Sequence, residues 1–392
     1  MKWSPQQDQA LLDFKNWYKS GHPGNIFHIF GFAGTGKTTL ALELTEGISG
    51  SVVFAAFTGK AASVMRRKGC VGASTIHSLI YTSKQNSKLR LLELERGLAV
   101  EQDEDKRAAL RAEIAEERRN LAQPNFVLNR DSDIKGAALI VIDEVSMVDD
   151  RIGQDLLSFN RPILVLGDPA QLPPVKGSGF FMTEQPEVML TEVHRTALDN
   201  PVLAMATKVR NGEFLDFGNY GESRVCTRQA LGPGASLSYD QVIVGKNATR
   251  NYANSSIRKQ LGFDERLPMS TDRVICLKND HEVGLLNGAI FKVLKSEDTG
   301  YELLMQIEPD EGGAALDVEV YRQPFEGEEV PRWNREGFQE FTFGYAITCH
   351  KSQGSEWRKV YIVDESSSFR ADAKRWLYTA ITRASEQVCV VR

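Results

Sequence analysis

The sequence predicts an α/β protein in two halves, each built on a parallel sheet, and three observations carry that reading. The chain has 392 residues, enough for two domains that each bury a core. A strand, a glycine turn and a helix follow one another in "NIFHIFGFAGTGKTTLALEL". Strand–helix alternation then returns beyond residue 200, in "YDQVIVGKNATRNYANSSIRKQLG" and "KVYIVDESSSFRADAKRWLYTAITRASEQVCVVR".

Composition bounds the rest. Apolar residues make up 42% of the chain and charged residues 25%, as in a soluble globular protein. The N-terminal stretch has no apolar signal core and no run reaches membrane-spanning length, so a cytoplasmic protein without membrane contact is expected. Five scattered cysteines (Cys70, Cys226, Cys276, Cys349, Cys389) without a CxxC pair point away from zinc and disulfide frameworks. With a net charge of −5, any nucleic-acid contact must come from a local groove on an acidic body.

In the first half, Ile26 to Phe30 is a short apolar strand, and the turn after it fits G-x-x-x-x-G-K-[ST]. Gly31 and Gly36 let backbone N–H groups curl around phosphates, with Gly34, Thr35 and Thr39 completing the cradle. Lys37 is placed to reach the β and γ oxygens, and the Thr38 hydroxyl to hold Mg²⁺ at a helix N-terminus. The partner carboxylate comes from "ALIVIDEVSMVD": Leu139 to Ile142 form a buried strand, Asp143 meets Mg²⁺, and Glu144 orients or deprotonates water. A Glu directly after the Asp argues for hydrolysis over transfer to a small acceptor. A third strand, in "RPILVLGDPAQLPPV", ends at Gly167, Asp168 and Gln171, where Gln171 can sense the γ-phosphate.

The second half has no second phosphate loop. It brings Arg383 in "YTAITRAS", while Arg195 in "LTEVHRT" stands just before it, and both suit arginine fingers acting across a closing cleft. "GYAITCHKSQGSEW" packs Thr348, His350, Ser352, Gln353, Gly354 and Glu356 behind an apolar strand, a density of polar groups suited to two ligands at once.

Taken in order, "SPQQDQA", "GFAGTGKT", "FTGKAA", "GASTIHSL", "VIDEVSM", "GDPAQLPPV", "VHRT", "TCHKSQGSEW" and "YTAITRA" resemble the superfamily 1 helicases, within them the RecD-like and Dda-type enzymes of group B. The resemblance implies two RecA-like motor domains, 1–198 and 199–392, and ATP with Mg²⁺ as cofactors. It implies that Gln7 reads the adenine edge and that Glu356, after Gly354, lies near the ribose. Lys37, Thr38, Asp143, Glu144, Gln171, Arg195 and Arg383 take phosphate and hydrolysis roles. Thr58, Lys60, Thr75, His77, Thr348 and His350 match positions that touch single-stranded DNA.

Two stretches stand outside the motor core. Residues 82–135 intervene where the family carries a small β-hairpin pin. Here Leu91, Leu94 and Leu98 share one helical face and Leu110, Ile114 and Leu121 another, which predicts a helical hairpin with Asn125 to Asn129 as a returning strand. Residues 286–341 alternate like strands with a hairpin-type turn at Asn287-Gly288, and by resemblance form a small SH3-like β insertion.

The expected activity is an ATP-dependent helicase on single-stranded DNA and single–double-strand junctions, 5′ to 3′ by resemblance. It would function as a monomer in replication, repair or recombination, with a single-strand-binding or replisome protein as candidate partner. A translocase that strips proteins, an ATP-driven switch module and a small-molecule kinase are the alternatives. A kinase has little use for a second half bearing these arginines.

Overall fold

Strands apolar at every position are stable only where both faces are covered. In the computed structural model, mostly apolar runs from the first half, with the short Ser74–Thr75 at one edge, assemble into a six-stranded parallel sheet. Its order is Ser74–Thr75, Val52–Ala56, Leu139–Asp143, Ile163–Gly167, Ile26–Gly31, Val188–Leu190. The structure describes residues 3–392 except 23–24, 83–90, 92–93, 95, 97, 99–102, 104–105, 108, 116–126, 175–176, 178, 193–199, 281–282, 301, 311, 329 and 331–337. On one face of the sheet Phe27, Ile29, Val141 and Leu164 pack with Phe14, Trp17 and Leu40; on the other Phe30, Ile140, Ile142 and Val165 pack with Ile76, Ile152 and Leu156. Each such side chain contributes about 1.5–3 kcal/mol by leaving water. Helix Pro5–Lys19 is started by a capping box between Ser4 and Gln7, and Phe14 and Trp17 hold it on the sheet.

A second six-stranded sheet runs Ala346–Thr348, Gln241–Val244, Trp357–Val363, Ala384–Val391, Ser223–Cys226, Gly218–Tyr220, parallel except for the last pair. Helices Pro201–Asn211 and Ala373–Ile381 cover one face through Val202, Met205, Trp376 and Ile381. Helix Asn247–Gln260 lies against the other, where Asn254 exchanges two hydrogen bonds with the backbone of Ala346 (2.8 and 3.0 Å). The α/β class expected from the sequence, two parallel sheets with their helices, is the architecture observed.

The third sheet is antiparallel, in the order Leu316–Val320, Leu303–Pro309, Ile290–Asp298, Arg273–Cys276, Phe341–Phe343. Its alternation is that of a half-buried sheet: Leu303, Met305 and Ile307 point inward, with Leu304 and Gln306 outward. It starts at Arg273, ahead of the expected boundary at 286, because Arg273–Cys276 pairs with strands on both its sides. Asn287-Gly288 forms the turn, closed by Ala289 N–H on the Leu286 carbonyl at 2.9 Å.

Within 82–135, Val127–Leu128 pairs antiparallel with Tyr81–Thr82. Leu91, Leu94, Arg96, Leu98, 106–107 and 109–115 are helical; the Asp103 carboxylate caps the Lys106 N–H at 3.2 Å, and Ile114 is buried. Leu121 lies outside the described residues. Among the described residues no helix is long and apolar enough to cross a membrane.

One buried ion pair fixes the third sheet to the second. Arg258, on helix Asn247–Gln260, meets Asp272 through Nε and Nη2 (3.0 and 2.8 Å), and Asp272 also accepts from the Tyr345 hydroxyl (2.9 Å) and the Met269 N–H (2.9 Å). The remaining guanidinium donors go to the carbonyls of Glu265 and Leu267, and its plane lies 4.0 Å from the Phe343 ring centroid. Removing one partner leaves a buried charge uncompensated, so Asp272→Ala is expected to lower stability by about 3–5 kcal/mol, read as a shifted midpoint in chemical denaturation. A midpoint within error of wild type would show that the pair is not structural.

Candidate functional site

The parallel strands of the first half end along one edge, and the turns that follow carry the polar groups. After Ile26–Gly31 the loop bends so tightly that a Cβ on Gly31 would lie 2.7 Å from Thr35 Oγ1 and 2.8 Å from Leu190 Cβ. Gly34 and Gly36 take left-handed φ of +80° and +77°, the backbone curl that turns N–H groups toward an anion. Thr35 is buried, with its hydroxyl on the Phe32 carbonyl at 2.8 Å. Thr38 and Thr39 lie in the first turn of helix Lys37–Thr45.

Lys37 Nζ rests on the carbonyls of Gly31 (2.6 Å) and Phe32 (3.3 Å). The Thr38 hydroxyl donates to Asp143 Oδ2 at 2.8 Å, and Asp143 Oδ1 accepts the Glu144 N–H at 2.8 Å. The two residues expected to share a Mg²⁺ are therefore in direct contact, and the hard oxygens Thr38 Oγ1 and Asp143 Oδ2 fit that ion. Glu144 sits at φ +56°, a strained conformation for a residue with a side chain. Burial raises its carboxyl, Arg383 opposes that, Asp143 adds to it, and Lys37 draws it back. Asp168 is raised by burial against the pull of Lys37 and of hydrogen bonds from Tyr378 and Ala170. Gln171 is buried, and among the described residues its Oε1 has no hydrogen-bond partner. An orphaned acceptor, raised carboxyls and a glycine cradle together fit a triphosphate with its cation.

The second half reaches this cleft through helix Ala373–Ile381. Arg383 is buried behind it, its donors on the Thr379 carbonyl (3.1 Å), the Ser355 carbonyl (3.2 Å) and Thr382 Oγ1 (3.2 Å). These partners are neutral, so its charge is felt by Glu144 and Asp168. Arg195 lies outside the described residues. Two groups absent from the sequence-based expectations also arrive here. Tyr378 joins the halves through its hydroxyl, and Arg210 stacks on Phe32 of the phosphate loop at 3.8 Å from the ring centroid. Arg210 has no local pattern to single it out; Tyr378 had only its place shortly before Arg383.

Gln7 is buried, with both ends of its amide engaged: Oε1 takes the Ser4 N–H (2.9 Å) and Nε2 donates to the Thr35 carbonyl (3.0 Å). It ties the first helix to the phosphate loop. Glu356 is exposed, beside the buried Gly354.

The strand-contact candidates follow the carboxyl ends of strands in both parallel sheets. Thr58 Oγ1 caps helix Gly59–Arg67 through the Ala61 N–H (3.2 Å), and Thr75 Oγ1 caps Ile76–Ile80 through the Ser78 N–H (3.1 Å). Thr348 precedes helix Cys349–Ser352, and its hydroxyl makes no cap bond. His77 lies between the rings of Phe57 and Tyr81. Burial lowers the His350 imidazole, with Asp372 opposing. Burial and then Arg67 bring the Lys60 amine down to about 8. The two sets come together at Gly354, where an added Cβ would lie 2.3 Å from Thr58 Oγ1.

Residues 6–225 match the AAA domain family and residues 343–391 the UvrD-like helicase C-terminal domain. The chain is 31% identical over 278 residues to the ATP-dependent RecD2 DNA helicase of Deinococcus radiodurans, covering 64% of this chain and 35% of that protein. The chain thus spans about a third or less of the length of the curated relatives it matches. Among solved structures it is similar to the Pif1 helicases of a study of DNA unwinding at forked dsDNA, with TM-score 0.59, 19% identity, and 99% and 92% of the two chains covered. Bacteroides Pif1 bound to ssDNA gives TM-score 0.58 at 19% identity over the same shares, 99% and 92%. Pif1 helicase from Candida albicans gives 0.52 at 17%, covering 100% and 95%. At these identities the likeness is one of fold.

The contact at Gly354 has a measurable consequence. Gly354→Ala combines a left-handed φ of +74° with the clash on Thr58, whereas Gly312→Ala meets only a left-handed φ of +84° in open space. The first is expected to cost about 1–3 kcal/mol more than the second, measured by chemical denaturation. Equal costs would mean that the loop does not seat against the first half in solution.

Proposed function

The chain belongs to the superfamily 1B helicases of the RecD-like type, and from that premise we propose that it is an ATP-driven motor that moves along single-stranded DNA, 5′ to 3′, and separates the duplex at a junction. The observation that carries this reading is the convergence of both halves on one set of carboxylates: the Tyr378 hydroxyl of the second half bonds Asp168 at 2.8 Å, and Lys37 from the first and Arg383 from the second both act on Glu144 and Asp168. Such a cleft makes hydrolysis depend on how the halves sit, as a motor requires.

In this reading Lys37 leaves the Gly31 and Phe32 carbonyls for the phosphates, and the loop N–H groups from Gly34 to Thr39 hold the rest of the chain of anions. Thr38 and Asp143 would hold Mg²⁺, whose charge neutralises phosphate oxygens when bound. Glu144 takes the proton of the attacking water, a task that suits a carboxyl raised toward neutrality. Gln171 offers its free Oε1 to the same water or its product, and Arg383, with Arg195, meets the charge that develops during transfer. Gln7 and Glu356, beside Gly354, take the base and ribose ends. Thr58, Lys60, Thr75, His77, Thr348 and His350 line the track, giving affinity through backbone contacts that tolerate any base sequence. The division at 198/199 is supported by the two parallel sheets, and an insertion in the second half by the antiparallel sheet, which runs from Arg273 to Phe343 and so begins ahead of 286. Structural neighbours that hold single-stranded and forked DNA support the substrate class.

Strand displacement on 5′-tailed and 3′-tailed duplexes with ATP is the direct test. Unwinding of the 5′-tailed substrate is expected; unwinding of only the 3′-tailed one reverses the direction. DNA-stimulated hydrolysis without unwinding on either would favour the protein-stripping translocase, and hydrolysis indifferent to DNA would remove the motor. Lys37→Ala is expected to abolish turnover. Arg383→Ala should lower kcat about 10²- to 10³-fold while ATP binding stays within a few-fold. Loss of binding as severe as the loss of turnover would rule out the finger role.

Lys60 supplies a pH signature. With its amine at about 8, it is charged below that pH and neutral above it. Affinity for a single-stranded oligonucleotide is therefore expected to fall between pH 7 and 9, and Lys60→Arg, charged throughout, to flatten the fall. An identical pH dependence in the arginine variant would take Lys60 off the track.

A further inference from the structure

Arg383 can serve a transferring phosphate only if its helix is registered against the phosphate loop, and the structure contains one side chain that does this directly. Tyr378 is buried on helix Ala373–Ile381, with 2% of its surface exposed. Its hydroxyl accepts the N–H of Ala33 in the phosphate loop (2.9 Å) and donates to Asp168 Oδ2 (2.8 Å). A single oxygen thereby bonds the loop that follows Ile26–Gly31, the turn that follows Ile163–Gly167, and the helix of the other half. The neighbouring Thr379 Oγ1 accepts the Leu172 N–H (2.9 Å), and the Thr379 carbonyl in turn holds Arg383 Nε (3.1 Å).

We propose that Tyr378 is a positioning residue for Arg383: its hydroxyl sets the helix against both the phosphate loop and Asp168, so that the guanidinium arrives in register with the bound nucleotide. This rests on the motor reading above, in which Arg383 is the finger. The geometry has a second consequence. Lys37 and Arg383 both offset the buried Asp168 carboxylate, and both are called to the phosphates when nucleotide is held. The Tyr378 O–H and the Ala170 N–H then remain as the donors that keep Asp168 in place.

The test is steady-state ATP hydrolysis with single-stranded DNA by Y378F, R383A and the double variant, with thermal unfolding alongside. Y378F keeps the ring and its packing. Expected are a kcat lowered about ten- to a hundredfold with KM for ATP within about twofold, and a double variant no slower than R383A. A wild-type kcat in Y378F, a loss carried mainly by KM, or a further loss on top of R383A would overturn the proposal. Should Y378F fail to fold, D168N, which keeps the volume and removes the acceptor's charge, is held to the same three criteria. A wild-type protein without DNA-stimulated hydrolysis would instead remove the motor reading, an outcome separate from any of these.

Discussion

Two buried carboxylates, Asp143 and Asp168, with the half-buried Glu144 beside them, face two cations from different halves of the chain and form the constraint on which the molecule depends. Asp143, Glu144 and Asp168 end neighbouring strands of one sheet. Burial alone pushes Glu144 and Asp168 toward the neutral acid, and Lys37 and Arg383 push them back. Lys37 belongs to the same half as the acids, while Arg383 arrives with the other. Separating the halves would withdraw one of the two compensating charges, so the electrostatics of the cleft favour closure. An incoming polyanion competes for the same two cations, which couples what is bound in the cleft to how the halves sit.

The backbone makes that arrangement possible. Strands that are buried on both faces carry few polar side chains along their length, His28 and Gln241 being hydrogen-bonded exceptions, so most polar groups collect where the chain leaves the sheet. In the first sheet those exits supply the phosphate loop, the Asp143–Glu144 pair and the Asp168 turn; in the second they supply Thr348 and the loop to Glu356. The left-handed φ of Glu144 is local strain held by the packing around it, with Val145 and Ser146 buried immediately after. Threonine hydroxyls at Thr58 and Thr75 do structural work as caps, aiming the N-termini of short helices at the same edge. A cap and a strand contact are compatible, since a capping hydroxyl still leaves the helix N-terminus turned toward an anion.

The antiparallel sheet is held more firmly than its position as an insertion suggests. Arg258 and Asp272 lock its first strand to the helix beside the second parallel sheet, and Leu286 at its turn lies so close to Gly59 that a Cβ there would sit 2.5 Å from Leu286 Cδ1. It is fastened to one half and rests on the helix start of the other, beside Lys60.

The sequence by itself determined what depends on neighbours along the chain. The glycine turn and Lys37, the apolar strands ending in Asp143 and Gly167, and the alternation of the antiparallel strands all follow from local sterics and from burial period, and the structure has them where they were expected. Tertiary structure alone decided which distant groups meet. That the Tyr378 hydroxyl bridges Ala33 and Asp168, that Arg210 covers Phe32, and that Gln7 donates to the Thr35 carbonyl are contacts between segments without a shared local pattern. The start of the third sheet at Arg273 is of the same kind, because a four-residue strand is recognised by its two partners and not by its own composition. Periodicity records which face of an element is buried; it carries no record of what lies opposite, because that is fixed by the packing of whole sheets and helices.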